Sequence, residues 1–456
     1  MSTRYVRQEM LEELPAPSGT KGPIFWIRKN LFPDPLNGFL TLLAIYIIYK
    51  IVPPFLDFAL FSSTWSGVDR NVCATVAQGG QQEDGWFGAC WPYVSANMKL
   101  FIYGRYPVEE LWRVNWVYVM FAISSLGLLI PSIPYKRENI IFMFGIFPVA
   151  AFVLLTGGHI ELNGFLIANN FLGESALAFW IDMVILAGLL SALAYFIARG
   201  TDSDPLPSIK NVLIGMVILS VVMFVISAPF GLEHVETEVW GGLLVTLVIA
   251  VVGIVASLPL GVLLALGRRS NMPTVKLVCV IFIEFWRGIP LITVMFMSSV
   301  MLPLFLPDGV EFDKLLRALI GVALFSSAYM AEVIRGGIQA LPKGQYEGAQ
   351  ALGLSYWQMM QKIILPQALK LVIPGIVNTF IGLFKDTTLV LIIGLFDFLG
   401  QIQSSYSDPT WASPVQSMTG YLFAALVYWV FCFSICLLYT SPSPRDRTRS
   451  RMPSSA

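Results

Sequence analysis

The sequence predicts an all-α, polytopic membrane protein of about ten transmembrane helices, and three observations carry that reading. Of its 456 residues, 56% are hydrophobic and 13% charged, where an average soluble domain carries about 25% charged residues. Apolar runs of roughly 18–25 residues recur along the chain, the length that crosses a hydrocarbon core of about 30 Å. When those runs are threaded alternately through a bilayer, lysine and arginine gather on one side of it.

The runs fall at 38–61, 116–133, 140–155, 176–198, 209–228, 240–266, 275–302, 318–334, 371–395 and 418–438. They are read as helices because lipid offers no partner to a backbone N–H or C=O, so each must be satisfied within its own segment. With the N-terminus inside, the inner segments carry Arg4, Arg7, Lys21, Arg28, Lys29, Lys136, Arg137, Arg199, Lys210, Arg268, Arg269, Lys276, Arg335, Lys343, Lys362 and Lys370. The outer ones carry only Arg70, Lys99, Arg105, Arg113, Lys314 and Arg317. Both native termini are therefore expected in the cytoplasm. Trp112, Trp116, Trp240 and Trp429 lie at span ends, where interfacial anchors belong. Basic and acidic residues number 29 each, so net charge suggests no nucleic-acid partner.

This threading gives an inner N-terminal segment, 1–37, and a five-helix membrane region, 38–228, with a long outer loop at 62–115. A second membrane region of five spans covers 240–435. Between the two regions, 230–239 holds Glu233, Glu236 and Glu238 and reads as a solvated acidic loop. The Asp/Ser/Pro-rich stretch 198–210 reads as a short inner turn. Of five cysteines, only Cys73 and Cys90 lie in a polar segment. Neither serves as packing in an apolar run, so a disulfide in the outer loop is expected, with two free thiols as the alternative. The histidines, His159 and His234, fall in outer loops as ordinary surface residues, and nothing has metal-ligand spacing. From Cys436 the sequence turns to CLLYTSPSPRDRTRSRMPSSA without periodicity. It looks like the in-frame translation of a transposase sequencing adapter, so 436–456 is read as an artefact and the native chain is expected to end near Ile435.

The most informative stretch is an inner one. Glu347-Gly348-Ala349-Gln350-Ala351-Leu352-Gly353 is followed, after nine residues, by Ile363-Ile364-Leu365-Pro366. Small residues before Gly353 allow a sharp turn between two short helices. Glu347 with Leu352 and Leu354 offers an amphipathic knob to a soluble partner, and Pro366 fixes re-entry into the ninth span. The pattern resembles the EAA loop of binding-protein-dependent ABC importer permeases, E-A-A-x-x-x-G-x₉-I-x-L-P, with Gly348 in place of the alanine at the second position. The resemblance implies ATPase coupling through Glu347, Gly348, Ala349, Gly353, Ile363, Leu365 and Pro366, within a coupling loop at 335–366.

Around it, Glu284-Phe285-Trp286-Arg287-Gly288-Ile289-Pro290-Leu291 is similar to the E-x-x-R-G-x-P-L signature of polar amino acid uptake permeases. Similar too are 328–340 (Ala328-Tyr329-Met330-Ala331-Glu332 onward), Pro366-Gln367-Ala368, Asn378, and Lys385-Asp386-Thr387-Thr388-Leu389. The resemblance is dense over 240–430 and implies a type I ABC importer permease core in the C-terminal half. The first five spans and the cysteine loop look like the longer permeases of general L-amino acid importers.

Glu284, Arg287, Glu332, Lys385 and Asp386 sit within or beside spans, where a charge costs about 2.5–3.5 kcal/mol on insertion scales. Glu284, Arg287, Asn378, Lys385 and Asp386 are candidates for a polar path that accepts the ammonium and carboxylate of an amino acid. The alternative is mutual pairing, Glu284 with Arg287 one turn on and Lys385 with Asp386. Pro259, Pro290 and Pro374 mark possible breaks, and Lys50 snorkels from the first span. There is no G-x-x-x-x-G-K-[ST], H-E-x-x-H or G-x-S-x-G. The chain is therefore read as a transport subunit that binds no cofactor, with ATP and Mg used by a partner.

The resemblance implies as partners a dimer of ABC ATPase subunits, a second permease subunit (like or unlike), a periplasmic amino-acid-binding protein and membrane lipid. It implies a bacterial inner-membrane location, which makes the loop 62–115 periplasmic. An ion-gradient-driven secondary amino acid transporter is the competing class, and it would need no docking loop.

Overall fold

The computed structural model describes residues 22–130, 133–158, 160, 162–173, 175–200, 205–305 and 312–440. His159, the N-terminal Arg4, Arg7 and Lys21, and the tail 441–456 lie outside the described residues. Among those described, the chain is helical with no β-strand. It divides into two units, 1–94 with 409–419, and 95–408 with 420–456.

In the first unit, α1 (Pro23–Asn30) leads into α2 (Pro35–Leu56). Asp34 starts α2 by accepting the Asn37 backbone N–H at 2.8 Å and the Asn37 side-chain amide at 2.7 Å. That backbone bond holds its carboxyl below the usual range. No side chain of α2 is buried within the chain, as suits a helix solvated by lipid. The polar segment after it has little core and is stapled instead. Cys73 and Cys90 are joined by a disulfide. The Trp86 and Trp91 indoles donate to the carbonyls of Ser62 and Ala59 at 2.8 and 3.0 Å, and the Cys90 N–H donates to the Thr419 hydroxyl at 2.9 Å. Helix α3 (Trp91–Ala96) carries the chain onward.

The second unit opens with α4 (Met98–Tyr103) and α5 (Leu111–Leu129). Next, α6 (Lys136–Ile141) passes through a π-helical turn into α7 (Phe147–Thr156), making one crossing. The Lys136 ammonium donates to the Gly127 and Leu128 carbonyls at 2.6 and 3.1 Å, satisfying groups that the end of α5 leaves open. After α8 (Asn169–Leu172), α9 (Ala176–Gly200) and α10 (Pro205–Ser227) pack as an adjacent pair. Asp182 of α9 is fully buried and accepts four successive backbone N–H groups, from Phe165, Leu166, Ile167 and Ala168, at 2.7 to 3.1 Å. The acidic stretch at 230–239 is not simply a solvated loop. Buried Arg113 donates to the Glu233 carbonyl at 2.7 Å, and the Val235 N–H donates to the Thr156 carbonyl at 3.0 Å.

The rest of this unit comprises α11 (Gly242–Arg268), α12 (Pro273–Gly288), α13 (Leu291–Phe296), α14 (Lys314–Ala340), α15 (Lys343–Ala351), α16 (Tyr356–Met359), α17 (Leu365–Asp386), α18 (Phe398–Ser404) and, from Gly420 on, α19 (Gln416–Thr440). Close approach at small residues sets the packing, since lipid supplies little hydrophobic force between helices. A Cβ at Gly261 would come within 2.7 Å of Met330, and one at Gly337 within 2.7 Å of the Ala368 carbonyl. Gly253 lies against Val322 and Gly261 against Met330, so α11 and α14 run in the same direction.

That parallelism decides how to read the segment between them. Among the described residues, nine helices are long and apolar enough to cross, and Pro273–Gly288 with Leu291–Phe305 forms one pair bent by 106°. A chain leaving α11 at one end and entering α14 at the other must traverse the thickness in between, so the bent pair is a broken span and not a re-entrant loop. Every expected span thus has a counterpart.

Three expectations need correction. Pro259 and Pro374 lie inside continuous helices. Only Pro290 breaks one, because it forces Ile289 into extended backbone after Gly288. The ninth crossing begins well before 371, within a helix that runs Tyr356–Ile393. Trp240 is no interfacial anchor, being 6% exposed in the core, whereas Trp112, Trp116 and Trp429 are exposed. Helix α19 is described to Thr440, and the rest of the stretch read as an artefact, 441–456, lies outside the described residues.

At the start of α18, buried Asp397 caps the helix through the N–H groups of Leu399 and Gly400, and it accepts the Tyr428 hydroxyl of α19 at 3.1 Å. Burial pushes its carboxyl upward, and the Gly400 N–H opposes that shift. The Phe398 N–H donates to Thr246 of α11 at 2.9 Å.

Candidate functional site

Helix α15 ends in a Schellman turn. Gly353 takes φ +69°, its N–H donates to the Gln350 carbonyl at 2.9 Å, and the Leu354 N–H donates to the Ala349 carbonyl at 3.3 Å. Glycine suits the left-handed position because a Cβ there is strained. Ser355 and Gln358 then form a reciprocal capping box that starts α16. The elbow therefore satisfies its own backbone, and its shape does not depend on a partner.

Its side chains divide sharply. Ala349 is 1% exposed and packs with Met359, Met360 and Ile364, joined by Ile338 and Met330 of α14. Leu354, Ile363 and Leu365 are half-buried against the same cluster. Leu354 thus turns inward, and only Leu352, 77% exposed, remains of the expected apolar pair. Tyr356 and Trp357 stand exposed beside it. Glu347 is exposed and has no ion pair among the described residues. A Cβ at Gly348 would meet nothing within 4 Å, which explains how glycine and alanine can exchange there.

Pro366 does not mark a re-entry after a loop. It lies at the start of α17 just after a π-helical turn, Met360–Ile364, in which the Leu365 N–H reaches the Met360 carbonyl. The wider turn accommodates a residue that has no N–H to give. A groove of about 390 Å³ lies beside the elbow, lined by Arg269, Ile338, Gln339, Leu341, Lys343, Tyr346 and Glu347.

The charges inside the spans form one cluster where α11, α12 and α14 meet, near the elbow end of these helices. Arg335 engages Glu332 through Nε and Nη2, the shortest contact 2.7 Å. Arg268 reaches Glu332 at 2.8 Å and Glu284 at 2.9 Å. Arg287 lies 3.7 Å from Glu332 and 5.8 Å over the Tyr329 ring. The expected pairing of Glu284 with Arg287 along one helix does not form; Arg268 of α11 captures Glu284 instead. Lys385 and Asp386 are both exposed, and no ion pair joins them among the described residues. Asn378 is exposed on the same helix. Lys50, exposed, lies 5.9 Å over the Tyr46 ring one turn earlier.

Sequence reasoning left Glu332 out of its site, yet Glu332 collects three arginines. The i, i+3 spacing of Glu332 and Arg335 was the available signal. Arg268, Arg269 and Tyr346 had none, because their partners are remote in the chain.

Comparison with known proteins agrees with this architecture. The family described as "Binding-protein-dependent transport system inner membrane component" matches residues 257–447. The inner membrane amino-acid ABC transporter permease protein YhdY of Escherichia coli is 42% identical over 421 residues, covering 92% of this chain and 92% of its own length. The glutamate/glutamine/aspartate/asparagine transport system permease protein BztC of Rhodobacter capsulatus is 42% identical over 446 residues, 95% of this chain and 96% of that one. A chain in a crystal structure of an amino acid ABC transporter with histidines is 32% identical, covers 43% of this chain and 89% of that chain, and has a TM-score of 0.38. With long, apolar helices from end to end and relatives matched across almost the whole length, the chain belongs to the amino-acid ABC transporter permeases of the inner membrane.

Proposed function

We propose that this permease carries polar L-amino acids inward, driven by a separate ATP-hydrolysing subunit that docks on the α15 elbow. One observation supports the docking most directly. The elbow has a self-satisfied backbone, yet it leaves Glu347 unpaired and Leu352, Tyr356 and Trp357 uncovered. Glu347, Gly348, Ala349, Gly353, Ile363, Leu365 and Pro366 are the coupling residues, with Glu347 in contact and the others shaping or backing the turn. The elbow shares its end of the helices with Arg268, Arg269, Lys276, Arg335, Lys343, Lys362 and Lys370. The excess of basic residues argues for the cytoplasmic side, and for both native termini lying there.

A dimer of ATPase subunits would use ATP and Mg, and a second permease subunit, like or unlike, would complete the pathway. A periplasmic binding protein would deliver substrate from outside. Glu284 and Arg287 would meet the ammonium and carboxylate of a zwitterion, a reading supported by the partial exposure of each and by the loose 3.7 Å hold on Arg287. Asn378, Lys385 and Asp386 supply further polar positions. BztC's name speaks of glutamate, glutamine, aspartate and asparagine, and its identity over 95% of this chain supports polar substrates. Nothing specific favours an ion-gradient carrier.

Co-purification tests the reading. The wild-type chain is expected to retain an ATPase subunit and a Glu347→Arg variant to lose it. Equal retention by both would remove Glu347 from the interface.

A further inference from the structure

We infer that Tyr346 and Arg269 form a latch tying α15 to the inner end of α11, so that Tyr346 is a positioning residue for inward thrust. The inference rests on reading α15 as the coupling helix. Tyr346 stands one residue before Glu347. Its hydroxyl donates to the Ile338 carbonyl of α14 at 3.0 Å and accepts from the Arg269 guanidinium at 3.0 Å. The guanidinium carbon also lies 5.5 Å from the centre of the Tyr346 ring. The Ile338 carbonyl is one of the last four of α14, which have no partner within the helix. The hydroxyl therefore closes the end of α14 and grips α11 in one contact.

The neighbouring arginine extends the connection. Arg268 is the last residue of α11 and holds Glu284 of α12 and Glu332 of α14. Two consecutive arginines thus face opposite ways, one toward the elbow and one toward the charge cluster. By sequence, α15 is joined to α14 only through Leu341 and Pro342. Across the other side, the Gln367 amide of α17 donates to Gln345 at 3.0 Å. Without the latch, α11 would follow the elbow only indirectly, through its packing on α14 and α17.

Tyr346→Phe keeps the ring, its packing and its cation–π contact, and deletes only the shared hydroxyl. The wild-type chain, Tyr346→Phe, Arg269→Met and the double variant would each be purified with their ATPase partner and placed in proteoliposomes. Uptake of a mixture of tritiated L-amino acids would be measured per ATP hydrolysed, alongside ATPase co-purification and thermal melting. Each single variant is expected to keep its ATPase and its melting temperature while uptake per ATP falls about 3- to 30-fold, the range over which coupling residues act. The double variant should fall no further, because both changes break one contact. Arg269→Lys should recover part of the loss through its remaining donor.

A wild-type uptake ratio in Tyr346→Phe overturns the latch, as do single-variant losses that multiply in the double variant. Loss of the ATPase from Tyr346→Phe also overturns it, by assigning the residue to docking. Absence of the ATPase from the wild-type chain overturns the coupling reading itself, and the latch with it.

Discussion

Two groups of charged residues lie at the same end of the helices and behave in opposite ways. In the α11/α12/α14 cluster, Glu332 collects Arg268, Arg287 and Arg335, and Glu284 takes a second bond from Arg268. At the elbow, Glu347 is left open beside uncovered Leu352, Tyr356 and Trp357. The cluster spends its charges on holding three helices together. The elbow spends its backbone bonds on shape and presents its side chains outward. A carboxylate's residue type therefore says little about its role until its partners are known.

The largest effect should come from breaking the cluster. Glu332→Gln strands three arginines around a carboxylate that is only 16% exposed, and its loss costs up to about 3 kcal/mol. Thermal melting in detergent should show a clear fall, and an unchanged melting point would mean the arginines find other partners. Next, Cys73→Ser with Cys90→Ser opens a loop closed across a sequence separation of 17. It should cost the first unit about 3 kcal/mol, read as faster proteolysis within 62–94 while the cluster stays intact. Gly353→Ala forces a Cβ into the left-handed region at a cost of about 1–2 kcal/mol, and it should weaken ATPase retention. Gly348→Ala, five residues away in open space, should be neutral or stabilise the helix by up to about 1 kcal/mol. If the two glycine variants weaken retention equally, the turn is not what shapes the docking face. The smallest changes belong to Lys385→Ala and Asp386→Ala, which lack an ion pair to lose and should shift melting by less than about 0.5 kcal/mol. Their effect should appear in uptake instead.

The fold was legible because its dominant force acts on composition. A run of apolar residues must become a helix in lipid, and the ends of such runs can be counted. The elbow was legible as well, since its turn depends on residues close in sequence: Ala349, Gly353 and the Ser355/Gln358 box. The tertiary pairings were not. Glu284 has Arg287 one turn away and bonds Arg268 across a helix interface, a choice set by packing at Gly261 and Gly267 that no spacing displays. Asp182 went unremarked in an apolar span, because the four amides it accepts come from a loop 14 to 17 residues earlier. The Pro290 break and the continuity at Pro259 and Pro374 look alike in sequence. What separates them is that Gly288 ends a helix just before Pro290, whereas α11 and α17 run on through their prolines.

The crossing that begins at Tyr356 has one more consequence. Its 38 residues amount to about 57 Å at an α-helical rise of 1.5 Å each, nearly twice the hydrocarbon thickness of about 30 Å. A segment that long exceeds the hydrocarbon core, so part of it must extend beyond the core at one end or the other. If the elbow is the docking point proposed above, a tilt of a few degrees at the foot of this segment would displace its far end by several ångströms.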